Sequence, residues 1–127
     1  MDNASLPRDY PNWRTNEGDR AEDAAYLFGY YLILHCRDKA LETVPADASP
    51  DMKDAIEKAV DTALHNVCDL LEGFWPLEAG AKHRIALALG VEVRDVDNKV
   101  VETAEISPCK LDLPIGYWKW AQDREFR

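Results

Sequence analysis

Ser49-Pro50-Asp51 at one end and Gly73 at the other bracket a segment that reads as one long helix. The serine hydroxyl can accept from a free N–H of the first turn, proline is pre-set for the first helical position, and the acid suits the positive end of the helix dipole. Glycine supplies the left-handed residue on which helices commonly stop. Between these signals Met52, Ile56, Val60, Ala63, Val67, Leu70, Leu71 and Phe74 recur at three- and four-residue steps. That helix therefore has one apolar face, and something must cover it.

The cover is expected from upstream. Asp19, with Glu22 three residues on, has the form of a capping box, and a helix starting there should run to about Val44, before Pro45. Residues 24–34 are apolar or aromatic on every side, which packing against a single layer does not require. Such a helix is central or belongs to an interface. Tyr26, Phe28, Tyr30 and Tyr31 are the candidate contacts of a homodimer, because a tyrosine hydroxyl needs a polar partner at a boundary. The short connection over residues 45–50 predicts that the two helices pair antiparallel and that the apolar face of the second packs on the first.

After Trp75-Pro76 the period changes. Ile85, Leu87, Leu89, Val91 and Val93 alternate with Arg84, Ala86, Ala88, Gly90, Glu92 and Arg94, the pattern of a strand. Leu77, Ala81, Ile85 and Leu89 also suit a short helix over residues 77–89; the strand is the preferred reading. Asp95-Val96-Asp97-Asn98 reads as a turn, and residues 99–106 as a second strand closed by Ser107-Pro108.

The fold class expected is α+β, an antiparallel helical hairpin packed on a β-hairpin or small antiparallel sheet. Residues 1–127 are read as a single domain, with an arm (1–16), a helical hairpin (17–74), a β-hairpin (83–107) and an aromatic tail (108–127). Trp13, Trp75 and Tyr117-Trp118-Lys119-Trp120 are read as anchors for arm and tail, with a recognition surface as the second reading.

Charge narrows the class of partner. The net charge is -9, with seven basic against sixteen acidic side chains in residues 1–80 and eight of each in residues 81–127. An acidic amino-terminal part repels phosphates, so nucleic acid is disfavoured and a basic protein or a cation is favoured. Cys36, Cys68 and Cys109 are an odd, widely spaced set that defines neither a disulfide framework nor a zinc knuckle. Reduced thiols, an amino terminus without a leader pattern, and no run near the roughly 20 apolar residues of a membrane span predict a cytoplasmic protein.

The candidate chemistry lies on the second helix. Asp54, Asp61, His65, Asp69 and Glu72 follow at steps of seven, four, four and three and form one polar ridge. Its plain reading is a solvated face; as a partner-binding surface it would attract a basic protein. A metal reading uses His65 with Asp61 or Asp69, but eight residues of helix span about 12 Å, so one ion takes His65 and one aspartate and needs other donors, with His35 and Asp38 as candidates. Cys68 beside His65 has the elements of a nucleophile pair, though a small thiol on the packed face is more often inert. No phosphate loop, dinucleotide fingerprint, serine elbow or His-Glu-x-x-His motif is present. No cofactor is predicted, and the protein is read as non-catalytic; the alternative is a small enzyme with a metal or acid–base site on Asp61, His65 and Asp69.

The stretch Ala63-Leu64-His65-Asn66-Val67-Cys68-Asp69-Leu70-Leu71-Glu72-Gly73, a helix closing just before a β-hairpin, resembles small acidic bacterial proteins that include immunity-like proteins. The resemblance implies an acidic surface turned toward a basic toxin domain, and it carries over no individual catalytic or binding residue.

Overall fold

A computed structural model describes residues 5–108 and 112–127; Cys109 and residues 1–4 lie outside the described residues. An arm with one tight turn (Tyr10–Asn12) leads into α1 (Glu17–Tyr31), which continues through a wide π-type segment (Leu32–Arg37) into α2 (Asp38–Leu41). A loop then turns the chain into α3 (Pro50–Leu71). Two antiparallel pairs follow, β1 (Leu77–Glu78) with β2 (Arg84–Ile85) and β3 (Leu89–Arg94) with β4 (Val100–Ser107). The chain closes with α4 (Leu113–Trp118), prolonged by a π-type turn (Lys119–Asp123). The architecture is α+β, and no helix among the described residues is long and apolar enough to cross a membrane.

The signals around α3 act as expected. Ser49 Oγ accepts from Met52 N at 3.1 Å, and Gly73 takes a positive φ of 77° after the last turn. The start of α1 differs. Asn16 is the cap, accepting from Gly18 N at 2.9 Å, and the proposed box of Asp19 and Glu22 does not form. The reason is that the helix opens three residues earlier, with Arg20 N bonded to Asn16 O at 2.8 Å, so Asp19 already lies in the first turn; its carboxylate and that of Glu22 turn to Arg14, at 3.6 Å and 3.2 Å.

α1 is central. One side packs through Ala24 and Ala25 on Ala104 and Ile106 of β4 and on Trp13 of the arm; the other packs through Tyr26 on the tail, where Leu113, Tyr117 and Trp120 are fully buried. This explains why residues 24–34 are apolar all round. The tail supplies a large part of the core itself, a larger role than anchoring.

Residues 77–89 form no helix; β2 turns back to pair with β1, and the alternating residues from Leu89 onward form β3, with Val91 opposite Ala104. The turn at residues 95–98 is held by Asp95 Oδ1, which accepts from Asp97 N at 2.9 Å and Lys99 N at 3.0 Å.

α3 returns antiparallel to the first helical run, with Arg37 of the π segment reaching Glu57 and Asp61. Its apolar face, however, is only half covered. Cys68, Leu64 and Leu71 pack into the core, whereas Met52 is 52% and Val67 44% exposed. The expectation that the whole face packs on the first helix is corrected by α4, which occupies the space beside the second half of α3. The helix rotates so that Asp61 meets both Arg37 Nε at 2.7 Å and Tyr117 Oη at 2.6 Å, because a half-buried carboxylate is stable only with partners.

The arm is held by charge. Asp23, buried on α1, accepts from Arg8, from the Arg14 guanidinium and from Arg14 N. Glu102 of β4 accepts from Tyr10 Oη at 2.7 Å and from Arg20 at 2.6 Å. The Arg20 and Tyr10 hydrogen bonds hold the Glu102 carboxyl well below its ordinary 4.5, at about 2. Asp23 and Asp61 are also lowered: burial pushes each upward, but Arg14 for Asp23 and Arg37 with Tyr117 for Asp61 outweigh it. A carboxyl whose folded value is depressed contributes stability above its unfolded value and loses that contribution as pH falls toward the folded value. Stability is therefore expected to drop between pH 4.5 and about 2, with the drop reduced in Glu102→Gln, as measured by urea midpoints across that range.

Candidate functional site

The polar ridge of α3 divides into parts with different surroundings. Asp54, on the first half, is exposed to solvent. Asp61 faces inward to Arg37 and Tyr117. His65 lies flat against the Trp118 ring, centroids 5.1 Å apart, with its Nδ1 3.4 Å from Asp69 Oδ2. Glu72 caps the end of α3, and its Oε1 stands 3.2 Å from Ser107 Oγ and accepts from Leu113 N at 3.4 Å.

Beside the last turn of α3 the chain forms a cleft of about 570 Å³ lined by Asp69, Glu72, Phe74, Asp112, Pro114 and Ile115. Gly73 places Phe74 there: its left-handed backbone ends the helix and redirects the chain. Asp112 caps α4, accepting from Ile115 N at 3.2 Å, with Pro114 in the first turn. Three carboxylates and no basic side chain among the described lining residues make the cleft electronegative. Phe74 at 70% and Ile115 at 69% exposure give it an apolar floor that nothing among the described residues covers.

Asp69 and Glu72 were legible in the helical spacing, and the structure brings them together with side chains that the spacing does not reach. Asp112, Phe74 and Ile115 come from separate segments. The one available signal was Asp112-Leu113-Pro114, an acid and a proline placed like Ser49-Pro50 at a helix start.

The other sequence candidates sit elsewhere. Tyr26 is buried, its Oη accepting from Lys119 Nζ at 2.6 Å. Phe28 packs edge-on against Trp120, and Tyr30 against Phe126. Tyr31 is half exposed and stacks on His35, while Asp38 is held by Arg124 at 2.9 Å. Tyr31 and His35 border a second, mostly apolar groove of about 640 Å³ between the first helical run and β3.

Among the described residues no group of three or more His, Cys, Asp or Glu side chains is placed to hold a metal ion. Cys68 lies on the core side of α3, fully buried, and burial with the nearby Asp69 and Glu72 pushes its thiol up to about 12. A thiol of that kind is protonated near neutrality and a poor nucleophile. Cys36, exposed on the π segment, should react with iodoacetamide in native protein while Cys68 reacts only after denaturation; mass-mapped alkylation with equal rates at the two would contradict the buried placement.

No protein-family model matches the chain, and no curated protein and no solved structure matches it.

Proposed function

We propose that the protein is a non-catalytic interaction module that takes a basic, partly apolar segment of a protein partner into the cleft beside the end of α3. The reading rests on one juxtaposition: Asp69, Glu72 and Asp112 surround the exposed Phe74 and Ile115 in a single concavity. Carboxylates give direction and rate, and apolar contact gives affinity that water cannot match. A lysine or arginine stem can lie on Phe74 and Ile115 while its charged head meets the carboxylates. Exposed Asp54 extends the negative field along α3 and steers without contact. An immunity-like role against a basic toxin domain is one biological form of this chemistry.

The test is a titration of isotope-labelled protein with a synthetic peptide alternating lysine and leucine, and with its glutamate and leucine counterpart. The basic peptide should move the amide resonances of residues 69–74 and 112–115, and raising salt to about 0.5 M should weaken it, since screening then acts within a few ångströms. Ile115→Ser and Asp69→Asn should each weaken binding at least about fivefold, in the range of a contributing interface residue. Equal response to both peptides, indifference to salt, or shifts confined to another face would overturn the reading.

A further inference from the structure

The uncovered half of the α3 face is arranged for a partner of its own kind. Met52, Ile56, Ala59, Ala63, Val67 and Leu70 follow one stripe, with Met52 and Val67 about half exposed and Ala59 and Ala63 open to solvent. The stripe is symmetric about the middle of the helix, which spans Pro50–Leu71. Turned end for end, it places Met52 on Leu70, Ile56 on Val67 and Ala59 on Ala63. Large side chains then meet large ones at both ends, while alanines in the centre let the two helices approach closely.

Charge selects the same face. Two copies carrying -9 each repel, so they can meet only where carboxylates are absent. Asp51, Asp54, Glu57, Asp61 and Asp69 all lie on other sides of α3, and the solvent edge of the stripe is formed by the uncharged Ala55, Thr62 and Asn66. The cleft with Asp69 and Asp112 attracts basic chains, whereas this stripe is the part of α3 that an equally acidic chain can touch. A basic partner would gain nothing there from its charge.

We infer that α3 pairs antiparallel with α3 of a second copy across a two-fold axis between Ala59 and Ala63, forming a symmetric homodimer. Isologous contact is the commonest way in which identical chains associate, and it requires this kind of self-complementary surface. A helix of this length offers a seam of about 33 Å, which places the contact at the small end of specific interfaces and makes the dimer dissociable. The inference stands apart from the cleft, which lies on another side of α3.

Sedimentation equilibrium over a concentration series decides it. The mass should rise from 14.4 kDa toward twice that value as the concentration approaches about 1 mM, the range of a weak contact. Ala63→Glu, an exposed mid-helix change to a good helix former, should weaken association at least about tenfold, because each new carboxylate is pressed against Ala59 of the other copy, with no basic partner in the seam and a second carboxylate close by across the axis. Ala81→Glu, the same charge change in an exposed loop, should leave it unaltered, and circular dichroism checks that both variants fold. A mixture of Ala59→Cys and Ala63→Cys chains, with Cys36 replaced by serine, should cross-link to each other more readily than either does to itself. A mass of 14.4 kDa at every concentration, or a dimer indifferent to Ala63→Glu, overturns the inference and leaves the stripe to a different chain.

Discussion

Gly29→Ala is expected to destabilise the protein by about 3 kcal/mol, the upper part of the range for forcing extra volume into a packed core. A Cβ at this position of α1 would overlap Cδ2 and Cε2 of the Trp120 ring and stand 2.6 Å from its Cε3. The ring cannot retreat cheaply, because Trp120 is fully buried and packs against Tyr26 and Phe28. Its Nε1 has no hydrogen-bond partner among the described residues, and packing against those two rings holds it. Helix propensity acts in the opposite direction: alanine in mid-helix is favoured over glycine by about 1 kcal/mol. The sign of the change is therefore diagnostic. Urea unfolding showing a gain in stability would mean that Trp120 does not lie over Gly29. Combining Gly29→Ala with Trp120→Leu should cost less than the two single changes added together, since removing the ring removes the clash.

Asp61→Ala is expected to cost about 3 kcal/mol, the lower end of the penalty for breaking a buried ion pair, because Arg37 keeps Glu57 at 2.9 Å. Arg37 is 11% and Asp61 13% exposed at the side chain, so solvent does little to replace the lost partner. Tyr117→Phe removes one hydrogen bond to the same carboxylate and should cost about 1.5–3 kcal/mol, as bonds to charged groups do. The two effects should fall well short of additive in the double variant. Asp54→Ala, on the same ridge but exposed, should change stability by no more than about 0.5 kcal/mol. Unfolding curves that treat Asp54 and Asp61 alike would show that the rotation of α3 about its axis differs from the one described.

That contrast also marks where reading the residues reached its limit. Helical spacing alone groups Asp54, Asp61, His65, Asp69 and Glu72 on one ridge, because residues four apart point the same way in any helix. Spacing says nothing of what lies opposite each turn. Arg37, 24 positions before Asp61, and Tyr117, 56 positions after it, turn Asp61 into a structural group. Asp112 and Ile115, more than forty positions after Asp69, turn the end of the same ridge into a cleft. The aromatic tail misleads in the same way: Tyr117, Trp118 and Trp120 are adjacent in the chain, yet two are core and one stacks on His65 at the surface.

Taken alone, the residues settled what has a local cause: the start and stop of α3, the turn after β3, the alternation that makes β3 a strand, and a first helix apolar on all sides, though not whether that helix is central or at an interface. These depend on caps, backbone preferences and periodicity, which act over a few residues. The start of α1 is the local exception, where Asn16 and not Asp19 opens the helix. Only the tertiary structure decided which half of the α3 stripe is covered, which ridge carboxylates are bound within the fold, and which segments meet at the cleft. Those outcomes follow from where α4 inserts, and that is a competition among long-range contacts that a periodic pattern does not contain.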